Sequence, residues 1–313
     1  MIILYFNICL LLILETNIKL KIFKYNMYIY NIMKGFNNLG NTCYLNSGLQ
    51  MIIQNKDLCN IISALANKSP ILNSYNEIIN EYYNGTGGSI SPKIVKELAS
   101  GRNSIFFGFG QQDSSEFIIF FLDLLNNEVK KVLGNKGLVD KLYEIEIKTN
   151  TKCKVLSCLN VSSNIEKSTM LMLDVDEDCS VLDDCYNLSL KRVKLDGSEK
   201  YFCEKCDKKR IASQRKEIES WPNHLVVWLR RFKQNGNRLS KYSQEIRVPI
   251  EWREGYQLTG IVFHSGSLHG GHYVYVGKVD GKWYLFNDSS VSLVDNNALV
   301  NFINNGYIYY FTK

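Results

Sequence analysis

The most informative segment of this chain reads GFNNLGNTCYLNS and runs from Gly35 to Ser47. Its first half is polar and rich in Gly and Asn, whereas apolar residues recur at helical spacing from Tyr44 to Gln54. The pattern predicts a loop that enters a helix at Cys43. A thiol at a helix N-terminus lies beside unpaired N–H groups and the positive end of the helix dipole, and both stabilise the reactive thiolate. Cys43 is therefore a candidate nucleophile, and the amide of Asn38 is a candidate oxyanion donor.

A candidate base for this thiol lies in the run HSGSLHGGHY, which begins at His264. The run contains three of the four histidines of the chain. Its Gly-Gly pair leaves the entrance of the next strand without side chains, so that another backbone could lie close to His272. The later run WYLFND ends at Asn287 and Asp288, where a hairpin would set an amide or an acid against the imidazole ring. A cysteine at a helix start is weak evidence alone, but together these groups indicate thiol catalysis.

The run GQQDSSEF, from Gly110 to Phe117, precedes a long amphipathic helix pattern. Asp113 is a predicted helix N-cap, and Glu116 three residues later completes a capping box. A cap uses only part of a carboxylate's capacity to accept hydrogen bonds. The cap therefore leaves part of the Asp113 carboxylate available for another contact.

The pattern of residue types changes at about residue 142. The first part shows helical periodicity. The second part contains segments rich in β-branched and aromatic residues, separated by Gly, Asn, Asp and Ser clusters, and Asp280-Gly281 is a predicted hairpin turn. The predicted strands are 225–232, 258–263, 272–279, 282–286 and 307–311. A helical lobe followed by a mostly β lobe is an α+β pattern.

The composition is that of an ordinary globular protein, with 313 residues of which 45% are hydrophobic and 22% charged. The formal net charge is +6, and the basic residues are mixed with acids rather than collected in a run. Nucleic-acid binding therefore gains no support. Nine cysteines, an odd number spread along a long chain, do not resemble a disulfide framework. Reduced thiols in a cytosolic or nuclear setting fit better.

The first 33 residues are interpreted as a separate N-terminal extension. Residues 2–14 are nearly all apolar, and Lys19, Lys21 and Lys24 follow them. The run is shorter than the about 20 apolar residues that a membrane-spanning helix needs. It also lacks the basic start and the small-residue cleavage site of a secretory signal. We expect a disordered segment or a mis-assigned start, with a membrane anchor as the alternative.

Several runs resemble, in the same order, the motifs of the ubiquitin-specific protease family of ubiquitin carboxyl-terminal hydrolases. Residues 35–50 are similar to its cysteine box, 110–117 to its Gln-Gln-Asp box, 201–206 and 225–232 to the stretch between fingers and palm, and 264–275 with 283–288 to its histidine box. The resemblance covers most of the chain from residue 34 to residue 310. It implies a papain-like α+β catalytic domain over 34–313, with a helical thumb (about 34–142) and β-rich fingers and palm (about 143–313).

The resemblance also implies roles for single residues. Cys43 is similar to the family's nucleophile, His272 to its general base and Asn287 to its third triad residue. Asp288 matches an assisting carboxylate, and Asn38 matches the oxyanion-hole side chain. Asp113 and Glu116 are implied to face the basic tail of ubiquitin, and the loop from His264 with Gly270 and Gly271 is implied to line the channel for its Gly-Gly end. Gln112 and Tyr273 are further implied substrate-binding residues.

A zinc site is a further expectation. Cys203 and Cys206 have the spacing of half a zinc site. The resemblance implies an earlier second pair, for which Cys158 fits well. Cys153 is separated from it by four residues rather than two, and the usual partner position falls at Val155. Either Cys153 reaches the site from an altered loop, or zinc is lost. We expect structural zinc and no catalytic cofactor.

The function implied is that of a thiol protease that hydrolyses the isopeptide or peptide bond after the C-terminal Gly of ubiquitin. The expected partners are ubiquitin and its conjugates rather than nucleic acid, and a membrane only if residues 2–14 insert. We expect a monomer in the cytoplasm or nucleus of a eukaryotic cell, from a cellular or viral gene. Two alternatives stay open, namely an inactive ubiquitin-binding module and a protease for another ubiquitin-like modifier. A zinc-ribbon nucleic-acid binder would leave most motifs unexplained.

Overall fold

The computed structural model describes residues 33–134, 137–235, 238–267 and 270–313. The chain divides into two compact units. The first comprises the described residues up to Val139 together with Tyr273–Tyr275 and Tyr284–Leu293, and the second comprises the described residues of Asp140–His272, Val276–Trp283 and Val294–Lys313. The predicted N-terminal extension, including the apolar run 2–14, lies outside the described residues except for its last residue, Met33.

The first unit is mainly helical, as the sequence predicts. Its helices are α1 (Cys43–Ile53), α2 (Lys56–Leu65), α3 (Pro70–Asn84), α4 (Lys93–Ser100) and α5 (Ser114–Leu133). A short strand, β1 (Gly35–Phe36), pairs in parallel with β2 (Ser89–Ile90). Helix α6 (Leu138–Tyr143) spans the chain position where the second unit begins.

Helix α5 shows how the sequence sets an element of this unit. Phe117, Phe121 and Leu125 recur every four residues, and all three are fully buried. The rings of Phe117 and Phe121 stack with centroids 5.4 Å apart, and Tyr75 meets Phe121 edge-on at 5.1 Å. The helix ends at Leu133 because Gly134 takes a left-handed conformation with φ 65°.

The second unit contains a four-stranded antiparallel sheet, whose strands are β3 (Ile145–Cys153), β4 (Val161–Ser168), β6 (Val193–Leu195) and β9 (Ala212–Ser220). Their order in the sheet is β4-β3-β9-β6. A small hairpin, β7 (Tyr201–Cys203) with β8 (Lys208–Arg210), lies between β6 and β9 in the chain. Helix α7 (Leu182–Leu190) precedes β6.

A second group of paired strands also belongs to this unit. The strands are β5 (Leu171–Asp174), β10 (His224–Arg230), β18 (Ile308–Thr312), β14 (Tyr256–Ser267) and β13 (Glu251–Trp252), each paired with the next. Strand β5 is parallel to β10, and the other pairs are antiparallel. Strands β11 (Phe232–Asn235) and β12 (Arg238–Lys241) form a separate hairpin, and α8 (Asn296–Asn305) precedes β18.

Two strands run through both units. They are β15 (Gly270–Val279) and β16 (Lys282–Asn287), joined by Asp280 and Gly281. Both turn residues have positive φ, 48° and 79°, as the predicted two-residue hairpin requires. In the first unit, β16 pairs with β17 (Ser290–Leu293). Helices followed by sheets confirm the predicted α+β fold.

Two further observations concern the whole described chain. All eight cysteines among the described residues are free, which agrees with the expectation of reduced thiols. In the same residues, no helix combines the length and the apolar character needed to cross a membrane.

Candidate active site

Cys43 is the first residue of α1 and is 4% exposed. Burial raises the pKa of its thiol, and the carboxylate of Asp288 raises it further. The backbone N–H groups of Tyr273, Tyr44 and Cys43 itself lower the pKa, because they stabilise the thiolate. The N–H groups expected at the helix start are therefore present, but burial outweighs them and the pKa is raised overall.

The side chain of Asn38 is held at both ends although it is exposed. Its Oδ1 accepts hydrogen bonds from the N–H of Gly40 at 3.0 Å and of Thr42 at 3.2 Å. Its Nδ2 donates to Oδ2 of Asp288 at 2.9 Å. The amide therefore has a fixed orientation in the loop that leads to Cys43, as an oxyanion donor requires.

Asp288 connects this loop to α1. Its Oδ1 accepts a hydrogen bond of 2.7 Å from Nδ2 of Asn46, which is buried and lies one helical turn after Cys43. Its carbonyl oxygen accepts from the N–H of Phe36 at 2.9 Å. A Cβ atom on Gly35 would lie 2.2 Å from the same carbonyl oxygen, so only glycine fits there. Asp288 itself has φ 50°, a conformation that Asp tolerates better than most residues.

Asn46 and Gly35 were missed as site residues by the sequence analysis. One signal for Asn46 was available, because a polar residue three positions after Cys43 shares its helix face. The contact that gives Asn46 its role, to Asp288, joins residues 242 positions apart and leaves no trace in local sequence.

The two remaining triad candidates lie in different units. Asn287 is the last residue of β16, pairs in register with Ser290 of β17 and belongs to the first unit with Cys43, Asn38 and Asp288. His272 belongs to the second unit. It directly precedes Tyr273 in β15, and the N–H of Tyr273 acts on the Cys43 sulfur. The roles of His272 and Asn287 stay predictions.

Asp113 is the N-cap of α5. Its Oδ1 accepts from the backbone N–H of Ser115 at 2.7 Å and from the hydroxyl of Ser115 at 2.6 Å. Its Oδ2 accepts from the hydroxyl of Tyr273 at 3.3 Å. Asp113 thus ties α5 to the strand residue next to His272. Burial, followed by the charge of Asp113, raises the pKa of the Tyr273 hydroxyl.

Glu116 and Gln112, which lie close to Asp113 in the sequence, differ in their exposure to solvent. Glu116 is exposed, and its pKa is raised by partial burial and then by the charge of Asp113. The cap bond of Asp113 goes to Ser115, the second residue of the helix, rather than to Glu116 as a capping box would place it. Gln112 is half-buried in the loop that precedes α5.

One of the predicted channel residues of the second unit, His264, is buried. His264 is 7% exposed, and a Cβ atom on Gly271 would lie 2.2 Å from its Nε2. Gly271 is therefore needed for the close packing of β15 against His264. Lys241 on β12 donates to the carbonyl oxygens of His264 at 3.0 Å and Gly266 at 3.2 Å. This lysine, also missed by the sequence analysis, fixes the end of β14.

The four candidate metal ligands come together in the second unit. The Sγ atoms of Cys153, Cys158, Cys203 and Cys206 lie within 4.8 Å of one another, and those of Cys158 and Cys203 are 3.6 Å apart. A tetrahedral zinc site with Zn–S distances of about 2.3 Å has sulfurs about 3.8 Å apart. The four thiols therefore fit zinc, and the altered spacing does not remove Cys153 from the cluster.

Backbone geometry supports the same conclusion. Leu159 and Asp207, which follow the second cysteine of each pair, both have positive φ, 47° and 50°. At Cys158 the N–H of Asn160 donates a hydrogen bond to the sulfur, and together with hydrogen bonds from the neighbouring thiols it lowers the pKa of Cys158 to about 7. The hydrogen bond to Cys158, followed by burial, raises the pKa of Cys206 to about 11, so Cys158 is the thiol most ready to bind a metal as thiolate. Zinc bound here would tie the end of β3 to the β7–β8 hairpin.

Comparison with known proteins identifies the family. The family model "Ubiquitin carboxyl-terminal hydrolase" matches residues 34–311. The chain belongs to this family. Ubiquitin carboxyl-terminal hydrolase Usp2 of Drosophila melanogaster is 28% identical over 89% of this chain and 34% of its own length. Ubiquitin carboxyl-terminal hydrolase 2 of Bos taurus is 27% identical over 83% of this chain and 52% of its own length.

Two further matches extend over most of this chain and also over most of the matched protein. Ubiquitin carboxyl-terminal hydrolase 4 of Arabidopsis thaliana is 26% identical, over 88% of this chain and 89% of its own length. A chain from the SAGA DUB module Ubp8/Sgf11/Sus1/Sgf73 bound to monoubiquitin is 25% identical, with a TM-score of 0.79 over 92% of this chain and 70% of that chain. The chain spans about a third and about half of the length of the first two curated relatives.

Proposed function

We propose that this protein is a deubiquitinating cysteine protease, which hydrolyses the isopeptide or peptide bond after the C-terminal Gly of ubiquitin. The observation that supports it most is the setting of Cys43. Backbone N–H groups form hydrogen bonds to its sulfur. The Asn38 amide, in the loop just before Cys43, is held by its hydrogen bond to Asp288. A nucleophile beside pre-oriented donors is the arrangement that acyl transfer needs.

In this mechanism the Cys43 sulfur attacks the carbonyl carbon of the ubiquitin C-terminus. The oxyanion accepts hydrogen bonds from the Asn38 amide and from backbone N–H groups near Cys43. His272, oriented by Asn287, passes a proton to the departing amine. Water activated by His272 then cleaves the thioester. Because burial raises the pKa of the Cys43 thiol, that thiol needs a base to take its proton. In this proposal His272 accepts the thiol proton as the sulfur attacks.

Asp288 has a positioning role in this proposal. Its carboxylate accepts from Asn38 and from Asn46, so it holds the oxyanion donor and α1 in one arrangement. Its negative charge opposes the Cys43 thiolate. A direct role for Asp288 in activating the sulfur is therefore less favoured than a role in orienting Asn38.

The proposed substrate contacts follow the family resemblance. Asp113 and Glu116 would face the basic tail of ubiquitin, and charge-assisted pairs to arginine would place that tail. The channel for the Gly-Gly end would be lined by His264, Gly270 and Gly271, and Gln112 and Tyr273 would be further substrate contacts. A panel of ubiquitin-like modifiers with the same fluorophore separates ubiquitin from its relatives as the substrate.

The remaining features of the proposal concern the setting of the protein. We propose a monomer that acts in the cytoplasm or nucleus of a eukaryotic cell, on ubiquitin conjugates and without nucleic acid. The gene can be cellular or viral. The relative bound to monoubiquitin in its solved structure supports ubiquitin as the partner.

The deciding experiment uses ubiquitin that carries an electrophile at its C-terminus. We expect a single covalent adduct on Cys43, located by mass spectrometry, and none on a Cys43→Ala chain. An inactive ubiquitin-binding module would bind ubiquitin and stay unlabelled, and that result would overturn the proposal. Labelling of another cysteine would overturn the assignment of Cys43. A panel of di-ubiquitin linkages then defines which conjugates are cut.

A further inference from the structure

Two adjoining cavities lie on the second unit, at one end of the four-stranded sheet. The first, of about 350 Å³, is bordered by the end of α7, the connection to β6 and strand β9. The second, of about 210 Å³, lies over β3, β4 and β9. The cavities share Arg192, Arg215 and Glu217, so they form one continuous depression.

The depression is strongly basic. Its lining includes five cationic side chains and one carboxylate, that of Glu217. The five cations are Lys152, Lys191, Arg192, Arg215 and Lys216. Glu217 accepts a hydrogen bond of 2.7 Å from Nδ2 of Asn150, which occupies one of its oxygens. The sequence shows these cations scattered among acids, and folding concentrates them.

Strand geometry explains why part of the cluster points the same way. Side chains on paired strands share a face where the residues lie opposite each other. Asn150 pairs with Arg215 and Lys152 pairs with Ser213, so these four residues project from one face of the sheet. Val161 of β4 pairs with Lys152 and adds an exposed apolar side chain on that face. Lys216, which pairs with Thr149, projects from the other face at the edge of the larger cavity.

The cations of the depression differ from others on the same sheet. Lys148 pairs with Glu219 at 3.3 Å, and Lys167 pairs with Glu144 at 2.5 Å. Over the described ranges of the chain, no carboxylate lies within ion-pair distance of the five cations of the depression. Five cations with a single carboxylate leave the depression with an excess of positive charge, which attracts anions. A complementary anion would balance that excess.

We propose that this depression, named here the α7–β9 basic groove, docks an acidic peptide segment of a partner protein. Carboxylates of the segment would pair with Arg192 and Arg215, whose planar guanidinium groups suit bidentate pairing. Tyr186 and Leu190 form an apolar wall of the larger cavity and accommodate one apolar side chain of the same segment. A peptide fits this mixture of charge and apolar wall better than a polyphosphate backbone does.

The inference does not depend on the proposed hydrolysis, because every residue of the groove lies apart from the candidate active-site residues in sequence and none takes part in the proposed chemistry. It adds a means by which a partner, or the protein attached to ubiquitin, is selected. Its failure would leave the proposed function intact, since the electrophilic ubiquitin probe tests that function separately.

The test is fluorescence anisotropy of the full chain with a fluorescein-labelled oligoglutamate peptide that contains one central phenylalanine. We expect saturable binding that weakens as salt is raised, since exposed charges are screened. The double variant Arg192→Gln and Arg215→Gln should weaken binding by about tenfold. The matched control, Lys148→Gln with Lys167→Gln, removes the same charge from the same sheet and should leave affinity within about twofold.

Several results would overturn the proposal. They are equal binding of an oligoglutamine peptide, equal losses in the two double variants, tighter binding of a single-stranded oligonucleotide of matched charge, and displacement of the peptide by free ubiquitin. All the substituted side chains are at least partly exposed to solvent, so circular dichroism should show an unchanged fold.

Discussion

Asp288 joins three parts of the candidate site. Its carboxylate accepts hydrogen bonds from the amides of Asn38 and Asn46, and its carbonyl oxygen accepts from the N–H of Phe36. Each amide that bonds a carboxylate makes a charge-assisted bond, which is stronger than a neutral one. The orientation of the Asn38 amide therefore depends on Asp288 and, through Asp288, on Asn46.

Replacing Asn46 by Ala should lower kcat on a ubiquitin–fluorophore substrate while KM changes little. The substitution frees one oxygen of Asp288, whose carboxylate can then rotate and release Asn38. A misplaced donor costs up to about a hundredfold in rate. Initial rates over a range of substrate concentrations separate kcat from KM.

The double variant Asn38→Ala with Asn46→Ala provides the control. If Asn46 acts through Asn38, the double variant should be no slower than Asn38→Ala alone, because the same interaction is removed twice. Losses that multiply would show that Asn46 acts by another route, such as the stability of α1.

The raised pKa of Cys43 should appear in its pH dependence. Alkylation of Cys43 by iodoacetamide should rise through the alkaline range, with a midpoint above the about 8.5 of an ordinary thiol. Replacing Asp288 by Asn removes a negative charge that disfavours the thiolate, so the midpoint should move to lower pH. The Cys43→Ala chain gives the background from the other cysteines. An unchanged or higher midpoint in the Asn variant would contradict the assigned effect of Asp288.

At the scale of elements, β1 is placed by a backbone contact rather than by a side chain. Gly35 lies so close to Asp288 and Ser289 that a Cβ atom would be 2.2 Å from the Asp288 carbonyl oxygen. The neighbouring Phe36 donates its N–H to that same oxygen. The strand can therefore reach this position only with glycine at 35.

Gly35→Ala should displace β1, break the bond from Phe36 to Asp288 and lower the free energy of unfolding by about 1–3 kcal/mol. Activity should fall as well, because the loop between β1 and α1 carries Asn38. Gly88→Ala is the matched control, since a Cβ atom there meets nothing within 4 Å. Chemical denaturation measures both variants, and equal stability of the two would refute the tight contact.

The cysteine cluster makes a testable statement about β3 and the β7–β8 hairpin. We expect one zinc ion per chain by elemental analysis, and Cys153→Ser should lose it and lower the Tm by about 5 °C or more. Cys59→Ser, a buried thiol outside the cluster, should keep the zinc. Full zinc content in the Cys153 variant would show that the other three thiols suffice.

Across the whole molecule, local pattern predicted the strands that carry apolar and aromatic residues. The predicted strand 272–279 lies within β15, and the predicted 282–286 lies within β16. Strands β3, β4 and β9 were not predicted, because they are polar on much of their surface; every residue of β4 except the last is exposed. Alternation of apolar residues is the signal for a half-buried strand, and it is weak there.

The same limit applies to the candidate site. Cys43, Asn38 and Asp113 could be proposed as candidates because a helix start has a local signature in sequence. Asn46, Gly35 and Lys241 owe their roles to partners in distant parts of the chain, and a single sequence carries no record of such contacts. The sequence also left open whether Cys153 could join the other three cysteines, because its spacing to Cys158 is unusual. The fold brings Cys153 into the cluster.

The bond from Asn38 to Asp288 spans 250 positions of the chain. During synthesis the ribosome therefore delivers the candidate nucleophile Cys43 and its loop long before the carboxylate that orients Asn38. A nascent chain that ends before β16 lacks the acceptor for the amides of Asn38 and Asn46. The Asn38 amide therefore stays without its partner until the last strands emerge, and we expect a product truncated before β16 to carry the Cys43 thiol but to be inactive.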